Sequence, residues 1–276
     1  MEKLLYHYTN HVGLMGIMES KGIWASKIQY LNDFMEFNHA IEVSKTIIKE
    51  KREKRKDSVL DILFNKLTDK LEQIKNLNIF VASLSEEGDL LSQWRGYCPE
   101  GSGYSIGFSK KLIQKTILPQ GFTLARCIYD QKKQNELMKK IINRAIQYTS
   151  PAKNKNADLE YILKIVDKAA FNFVADFEKT APFIKHPSFR EEREWRIASN
   201  VIFTSDVRHK MRIGKSALVP YVEVNLADDK NDVPIRHIVV GPGPTGDLSM
   251  DSVGTYLSNN NVKRWTVNQS SIPYRI

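Results

Sequence analysis

The sequence contains little cysteine and no long apolar run, and both absences exclude classes of protein. Its two cysteines, Cys98 and Cys127, are too few for a disulfide framework or a four-cysteine zinc site. No apolar stretch approaches the roughly 20 residues that a membrane-spanning helix needs. The first residues also lack the apolar core of a signal peptide. We therefore expect a reduced, cytoplasmic protein with no membrane partner.

Common metal and nucleotide motifs are also missing or incomplete. The sequence has no HExxH pattern and no nucleophile elbow, so we expect no metal site and no serine-hydrolase triad. Residues 241–246 read GPGPTG and match G-x-G-x-x-G, but Pro242 and Pro244 lack the amide hydrogens that a phosphate would need. No acidic residue follows at the distance that a ribose requires. The segment predicts a tight turn between a strand and a helix, and no dinucleotide site.

The composition is that of a folded, basic protein. The chain has 276 residues, of which 42% are hydrophobic and 10% aromatic, enough for a packed core. Lys and Arg number 41 against 32 Asp and Glu, so the net charge is +9. Much of the excess lies in residues 49–56 and 110–155. This pattern favours solvated helix faces, and a nucleic-acid-binding surface is the alternative.

Strand patterns lie towards both ends of the chain, and helical patterns fill the middle. Short apolar and aromatic runs predict strands at 4–8, 78–84, 103–108, 194–202, 217–224 and 235–240. Helical periodicity dominates two other stretches. This order is typical of an α+β fold with a largely antiparallel sheet. We expect a single domain over 1–276, with helical insertions at about 34–76 and 131–180.

The acidic segment Glu191–Ile197 is the most informative polar stretch. On a strand, Trp195 and Ile197 share a face that points to the core, and Glu192 and Glu194 lie side by side on the opposite face. One interpretation is an outer face with alternating salt bridges. The other is a carboxylate in a cleft, facing a sugar that becomes cationic, because an oxocarbenium-like centre needs an anion nearby. Since Trp195 and Ile197 would carry the packing, we expect the fold to survive Glu194→Gln.

Motifs along most of the chain resemble a mainly bacterial family catalogued as domain of unknown function 2971. The matching segments follow the order of that family: YHYT (6–9), YLNDFMEF (30–37), FVASLS (80–85), LSQWRGY (91–97), GYSIGF (103–108) and SFREEREWRI (188–197). The opening LYHYTNHVGLMGIMESKGIWAS also resembles the first motif of ADP-ribosyltransferases of the poly-ADP-ribose-polymerase and RNA 2′-phosphotransferase type. That resemblance implies a split, largely antiparallel sheet with a cleft between two half-sheets.

The same resemblance implies a set of residues that bind NAD as a substrate, without a metal. His7 and Tyr8 stand where the superfamily binds the adenosine ribose and, through the backbone, the nicotinamide amide, and Thr9 completes this motif. Further contacts with NAD are implied for Ser83, Ser92, Trp94, Arg95, Tyr97 and Arg196. The two arginines are candidates for the pyrophosphate, because a guanidinium matches two anionic oxygens.

The resemblance also implies a catalytic carboxylate and an activity. Glu194 stands where the superfamily has the glutamate that bonds the nicotinamide ribose and orients the attacking group, and Glu192 is the alternative in an E-x-E arrangement. The expected activity is NAD-dependent transfer of ADP-ribose to a protein or nucleic acid, as in toxins or phage-defence effectors, with an inhibitor or antitoxin as a possible partner. The alternatives are a catalytically inactive, basic nucleic-acid-binding module and an NAD glycohydrolase that uses water as the acceptor.

Overall fold

The fold combines a large, mostly antiparallel sheet with helices on both of its faces, which confirms the α+β class. The computed structural model describes residues 2–31, 35–54, 57–98, 103–154, 157–214 and 216–273. The strands are β1 (Leu4–Thr9), β2 (Gly22–Lys27), β3 (Phe80–Ser85), β4 (Tyr104–Ser109), β5 (Phe122–Arg126), β6 (Glu194–Ser199), β7 (Lys210–Ile213), β8 (Leu218–Asn225), β9 (Ile235–Val240) and β10 (Thr266–Gln269). The helices are α1 (His11–Ser20), α2 (Met35–Glu53), α3 (Ser58–Gln73), α4 (Leu91–Tyr97), α5 (Lys110–Ile117), α6 (Gln131–Tyr148), α7 (Leu159–Thr180) and α8 (Gly246–Asn259).

The strands of the sheet follow the order β10-β9-β4-β1-β3-β2-β8-β7, and β6 and β5 branch from β3. Among the described strands, every pairing is antiparallel except that of β10 with β9. The largely antiparallel sheet predicted from the order of the elements is therefore confirmed.

The sheet is split along β3. In the described ladder, β1 meets β3 only at Ser85, and β2 meets it only at Phe80 and Val81. The intervening residues 82–84 pair with β6 and with neither β1 nor β2. The sheet therefore opens between β1 and β2, and the chain passes from one to the other through α1.

Side-chain caps and apolar faces explain the helices. The Asn10 side chain accepts a hydrogen bond of 2.9 Å from the amide of Gly13 at the start of α1, which satisfies a donor that the helix leaves open. Asp57, Asp130 and Asp158 cap α3, α6 and α7 in the same way. The helices α2, α3, α6 and α7 pack on one another and occupy the stretches predicted as insertions.

The two faces of the sheet carry separate apolar cores. One face packs against α1, α5 and α8, and it includes Leu5, Leu84 and Ile197. The other face meets the four packed helices through Val81 and Ala198. The cleft described below lies at the gap between β1 and β2, and its lining includes residues of α1.

Some elements differ from the sequence-based prediction. The helix α5 and the strand β7 were not predicted. The first predicted helical stretch, at about 34–76, contains α2 and α3, and its residues Phe34, Arg55 and Lys56 lie outside the described residues. Residues Pro187–Glu192 form a 3₁₀ turn, and Arg193 has a left-handed backbone (φ 44°), so strand alternation begins only at Glu194.

Candidate functional site

A cleft of about 590 Å³ lies in the split of the sheet. Its walls are formed by β1, the first half of α1, β2 and residues 81–85 of β3, and the rim includes Tyr97 of α4. Its volume lies within the range of small-molecule sites in proteins. The split thus gives the cleft both its position and its size, because the missing pairing leaves room between β1 and β2.

His7 lies in the cleft, and its hydrogen bond determines its protonation. Nδ1 lies 3.0 Å from the carbonyl oxygen of Ser83 on β3. A carbonyl only accepts hydrogen bonds, so Nδ1 carries the proton and Nε2 of the neutral ring is an acceptor. Burial lowers the pKa of His7 below its ordinary value, although the bond to the Ser83 carbonyl opposes this. His7 therefore offers a neutral Nε2 that can accept a hydrogen bond from a ligand hydroxyl.

Tyr8 and Thr9 also line the cleft. The Tyr8 hydroxyl donates to the Glu87 carbonyl at 2.8 Å and accepts from the Leu90 amide at 3.0 Å. The ring of Tyr8 packs edge-on against Trp94, with the ring centroids 4.8 Å apart. The side chain of Tyr8 thus holds the segment before α4.

Glu192 and Glu194 meet at the cleft through one lysine. Lys185 Nζ donates to Oε2 of Glu192 at 2.6 Å and to Oε2 of Glu194 at 2.7 Å. Arg196 Nε donates to the other oxygen of Glu194, Oε1, at 2.9 Å, and Arg196 Nη2 donates to Oε2 at 3.2 Å. All four side chains line the cleft. Their formal charges cancel, and we call these residues the charge cluster.

Burial and charge set the state of Glu194. Burial by itself would raise its pKa, but the charges of Arg196 and Lys185 lower it to about 2, so the carboxylate is an anion at neutral pH. The Cys127 thiol, 3.7 Å away, also donates to Oε2. Glu194 and Arg196 are only 4% and 2% exposed, so the interpretation of this face as an outer surface with salt bridges is wrong. Of the two residues expected to face the core, Ile197 is buried, whereas Trp195 is half-buried with Lys110 Nζ 3.9 Å from its ring centroid.

The backbone of Lys185 is held by α6 and by the segment that follows β5. Its amide donates to the Ile128 carbonyl at 3.2 Å, and its carbonyl accepts from Gln134 Nε2 on α6 at 2.8 Å. The amide of Glu194 donates to the Tyr129 hydroxyl at 3.0 Å. The charge cluster is therefore fixed at both its loop and its strand.

The structure separates the remaining residues predicted to bind NAD. Ser83 and Tyr97 line the cleft, and the Tyr97 side chain is 43% exposed. Trp94 is fully buried behind Tyr8 and donates from Nε1 to Asp89 at 2.8 Å. Arg95 and Ser92 are exposed on α4, and neither lines the cleft. The predicted roles of these residues in NAD binding stay predictions.

Sequence reasoning did not single out several residues that line the cleft. These are the aromatic residues Trp24 and Tyr30 and the cationic residues Lys185 and Arg212. Trp24 and Tyr30 lie in segments that resemble the families named above. The sequence does not show, however, that their side chains are exposed in the cleft. Nothing in the sequence near Lys185 or Arg212 indicates a cleft, because loop and strand packing bring both residues there.

Residues 241–246 form a turn between β9 and α8, as predicted. The amide of Gly241 donates to the Gly103 carbonyl at 2.9 Å, and a side-chain Cβ there would lie 3.1 Å from the Trp94 ring. Close packing at these two contacts therefore accounts for the glycine at position 241. Within the described residues, no three His, Cys, Asp or Glu side chains cluster in a way that could hold a metal ion. No helix in the described ranges has the length and apolar composition needed to cross a membrane.

The fold and the cleft define an α+β protein with a ligand-sized site in a split antiparallel sheet. Residues 93–197 match the family model described as "Protein of unknown function (DUF2971)", which confirms the family resemblance found in the sequence. The matched segment contains the whole charge cluster, whereas His7 and Arg212 lie outside it. Comparisons with curated proteins and with solved structures found no match.

Proposed function

We propose that this protein transfers ADP-ribose from NAD to an acceptor in the cleft. The observation that supports this proposal best is the placement of His7 and the glutamate pair on one cleft of a split sheet, although they come from opposite parts of the chain. A neutral hydroxyl-binding imidazole and fixed carboxylates are the groups that such a reaction needs around a ribose.

The proposed reaction breaks the bond between the ribose C1′ and the nicotinamide nitrogen. The electron pair leaves with nicotinamide, the ribose becomes oxocarbenium-like, and an acceptor oxygen forms the new bond to C1′. The proton of the acceptor passes to a carboxylate and then to solvent. The charge cluster would place anions beside the cationic ribose, and His7 Nε2 would accept a hydrogen bond from a hydroxyl of the adenosine ribose.

The two glutamates differ in their access to a ligand. Both oxygens of Glu194 accept hydrogen bonds from Lys185 or Arg196, and its side chain is 6% exposed. The side chain of Glu192 is 21% exposed. In our proposal Glu194 anchors the charge cluster, and Glu192 is the carboxylate that reaches the substrate. This reverses the preference that the motif alone suggested.

Labelled NAD tests this proposal. The protein is incubated with cell extract and NAD labelled at the adenylate phosphate, and nicotinamide, free ADP-ribose and labelled macromolecules are measured. Transfer predicts nicotinamide release together with label in a protein or nucleic-acid fraction. Free ADP-ribose alone would identify the glycohydrolase alternative. Glu136→Gln, on the exposed face of α6, is the control for the variants Glu192→Gln and Glu194→Gln in this assay.

A protein that consumes no NAD would contradict the proposal. Salt-dependent binding of RNA or DNA by such a protein would instead support the basic binding module. The exposed lysines of α6, Lys132, Lys133, Lys139 and Lys140, are the side chains to neutralise in that case.

A further inference from the structure

Arg212 brings a cation to the cleft from the outer strand of the sheet. It lies on β7, opposite Val219 of β8, and its Nη2 donates to the hydroxyl of Ser26 on β2 at 3.0 Å. Ser26 is buried, and both residues line the cleft. The guanidinium therefore extends across β8 and is held in place by β2.

Among the described residues that line the cleft, the charges are balanced except at Arg212. The other two cations that line it, Lys185 and Arg196, are bonded to the glutamates of the charge cluster. Among the described residues, no carboxylate lies within salt-bridge distance of Arg212. Its neighbour Lys210, in contrast, is paired with Glu223 at 2.8 Å. A half-buried guanidinium that no described carboxylate neutralises is positioned to bind an anionic group of a ligand.

An aromatic ring lies on the same face of the sheet. Trp24 and Ser26 are two residues apart on β2, so their side chains point the same way. Trp24 is 47% exposed and lines the cleft, and its ring lies against Tyr221, with the centroids 4.6 Å apart and the planes 35° from parallel. Because Tyr221 is buried, it supports the Trp24 ring from behind and leaves area for a planar ligand group.

We propose that Arg212 and Trp24 form a nucleotide subsite, in which Arg212 binds a phosphate and Trp24 stacks on the base. The inference rests on the proposed function in using the cleft as the ligand site, but it does not require that NAD be consumed. It is also independent of the family match, because Trp24, Ser26 and Arg212 all lie outside residues 93–197.

Calorimetric titration with ADP, adenosine and inorganic pyrophosphate tests the subsite. We expect the intact protein to bind ADP at least about 10-fold more tightly than adenosine, and to bind pyrophosphate weakly. Arg212→Met should weaken ADP binding about 10- to 100-fold and leave adenosine unchanged, since a hydrogen bond to a charged group is lost. Trp24→Ala should weaken ADP and adenosine alike. Lys210→Met, which removes a neighbouring paired cation, is the matched control and should change neither.

Several results would overturn the subsite. The subsite is contradicted if the protein binds ADP and adenosine equally, or if it binds neither. It is also contradicted if an Arg212→Met protein that melts normally binds ADP as tightly as the intact protein. Arg212→Lys keeps the positive charge, so we expect it to bind ADP more tightly than Arg212→Met and more weakly than the intact protein. The two proposals fail separately: ADP binding through Arg212 without NAD turnover would leave only the subsite, and NAD turnover with an unchanged KM in Arg212→Met would leave only the transferase.

Discussion

At the scale of single residues, the carbonyl of Ser83 determines what His7 can do. The bond to Nδ1 fixes one tautomer, and partial burial keeps the ring neutral at physiological pH. Such a ring binds a ligand hydroxyl equally well before and during reaction, because no charge develops on it. His7 is therefore suited to binding more than to the chemical step.

Replacing His7 should separate binding from chemistry. We expect His7→Ala to raise the KM for NAD about 3- to 10-fold, the equivalent of one neutral hydrogen bond, with a smaller change in kcat. Nicotinamide release at varied NAD concentration measures both constants. His11→Ala, an exposed histidine at the start of α1, is the control. A large fall in kcat at unchanged KM would show that His7 acts in the chemical step instead.

The glutamates should respond differently to loss of charge. Glu194→Gln would leave Lys185 and Arg196 without their shared anion, so we now expect it to lower the free energy of unfolding by about 3–5 kcal/mol, contrary to the expectation from sequence. Glu192→Gln should cost less stability, because this side chain is more exposed. It should instead slow nicotinamide release about 10²- to 10³-fold. Urea unfolding and product assays distinguish the two effects.

A double variant tests the origin of the instability. Lys185→Met together with Glu194→Gln removes one charge of each sign, so it should unfold at higher urea concentration than Glu194→Gln alone. If the double variant is as unstable as the sum of the single variants, the charge pair does not explain the loss. Full activity of both Gln variants would exclude the charge cluster as the catalytic centre.

At the scale of the elements, Tyr8 and Asp89 connect the cleft to its surroundings. The Tyr8 hydroxyl satisfies two backbone groups in the segment before α4. Asp89 in the same segment accepts hydrogen bonds from Trp94 and from the amide of Ser271 near the end of the described chain. The position of α4, and with it the Tyr97 rim of the cleft, depends on these contacts.

Removing the Tyr8 hydroxyl should loosen this segment without emptying the core. We expect Tyr8→Phe to lower the free energy of unfolding by about 1–3 kcal/mol, because the Glu87 carbonyl and the Leu90 amide lose their partner. Urea denaturation measures the change. Tyr148→Phe, at a more exposed tyrosine on α6, is expected to change it much less. Equal effects of the two substitutions would contradict the proposed role of the Tyr8 hydroxyl.

The sequence predicted elements where the hydrophobic pattern was strong and local. It identified β1, β3 and the helical character of residues 35–73 and 131–180, because alternation, caps and apolar periodicity decide such elements directly. It did not identify β7, whose exposed apolar and basic residues carry no strand pattern and which forms by pairing with β8. The order of the motifs predicted that His7 and Glu194 share one cleft, but the sequence did not show which cations pair with Glu194. Lys185 reaches it from a loop that long-range contacts with Ile128 and Gln134 hold in place.

At the scale of the whole molecule, the charge cluster couples stability to pH. The pKa of Glu194 is about 2 in the folded protein, against an ordinary value of 4.5. At this site, unfolded chains therefore bind more protons than folded ones between these pH values. The stability that Glu194 contributes is fully present above about pH 4.5 and is lost as the pH falls towards 2. Urea midpoints from pH 7 to 3 should show this loss, and it should be smaller in Glu194→Gln. An identical slope in both proteins would assign the acid sensitivity to other groups.

The split along β3 has a consequence for motion. Because β1 and β2 each join β3 over so few residues, a molecule that bridges His7 on one side and Ser26 on the other would add the cross-link that the sheet itself lacks. Amide hydrogen exchange would then slow on both sides of the opening when such a molecule binds. A free ligand concentration of 100 times Kd would raise the free energy of unfolding by about 2.7 kcal/mol. A bound ligand would therefore stabilise the sheet by linking the two sides of its opening.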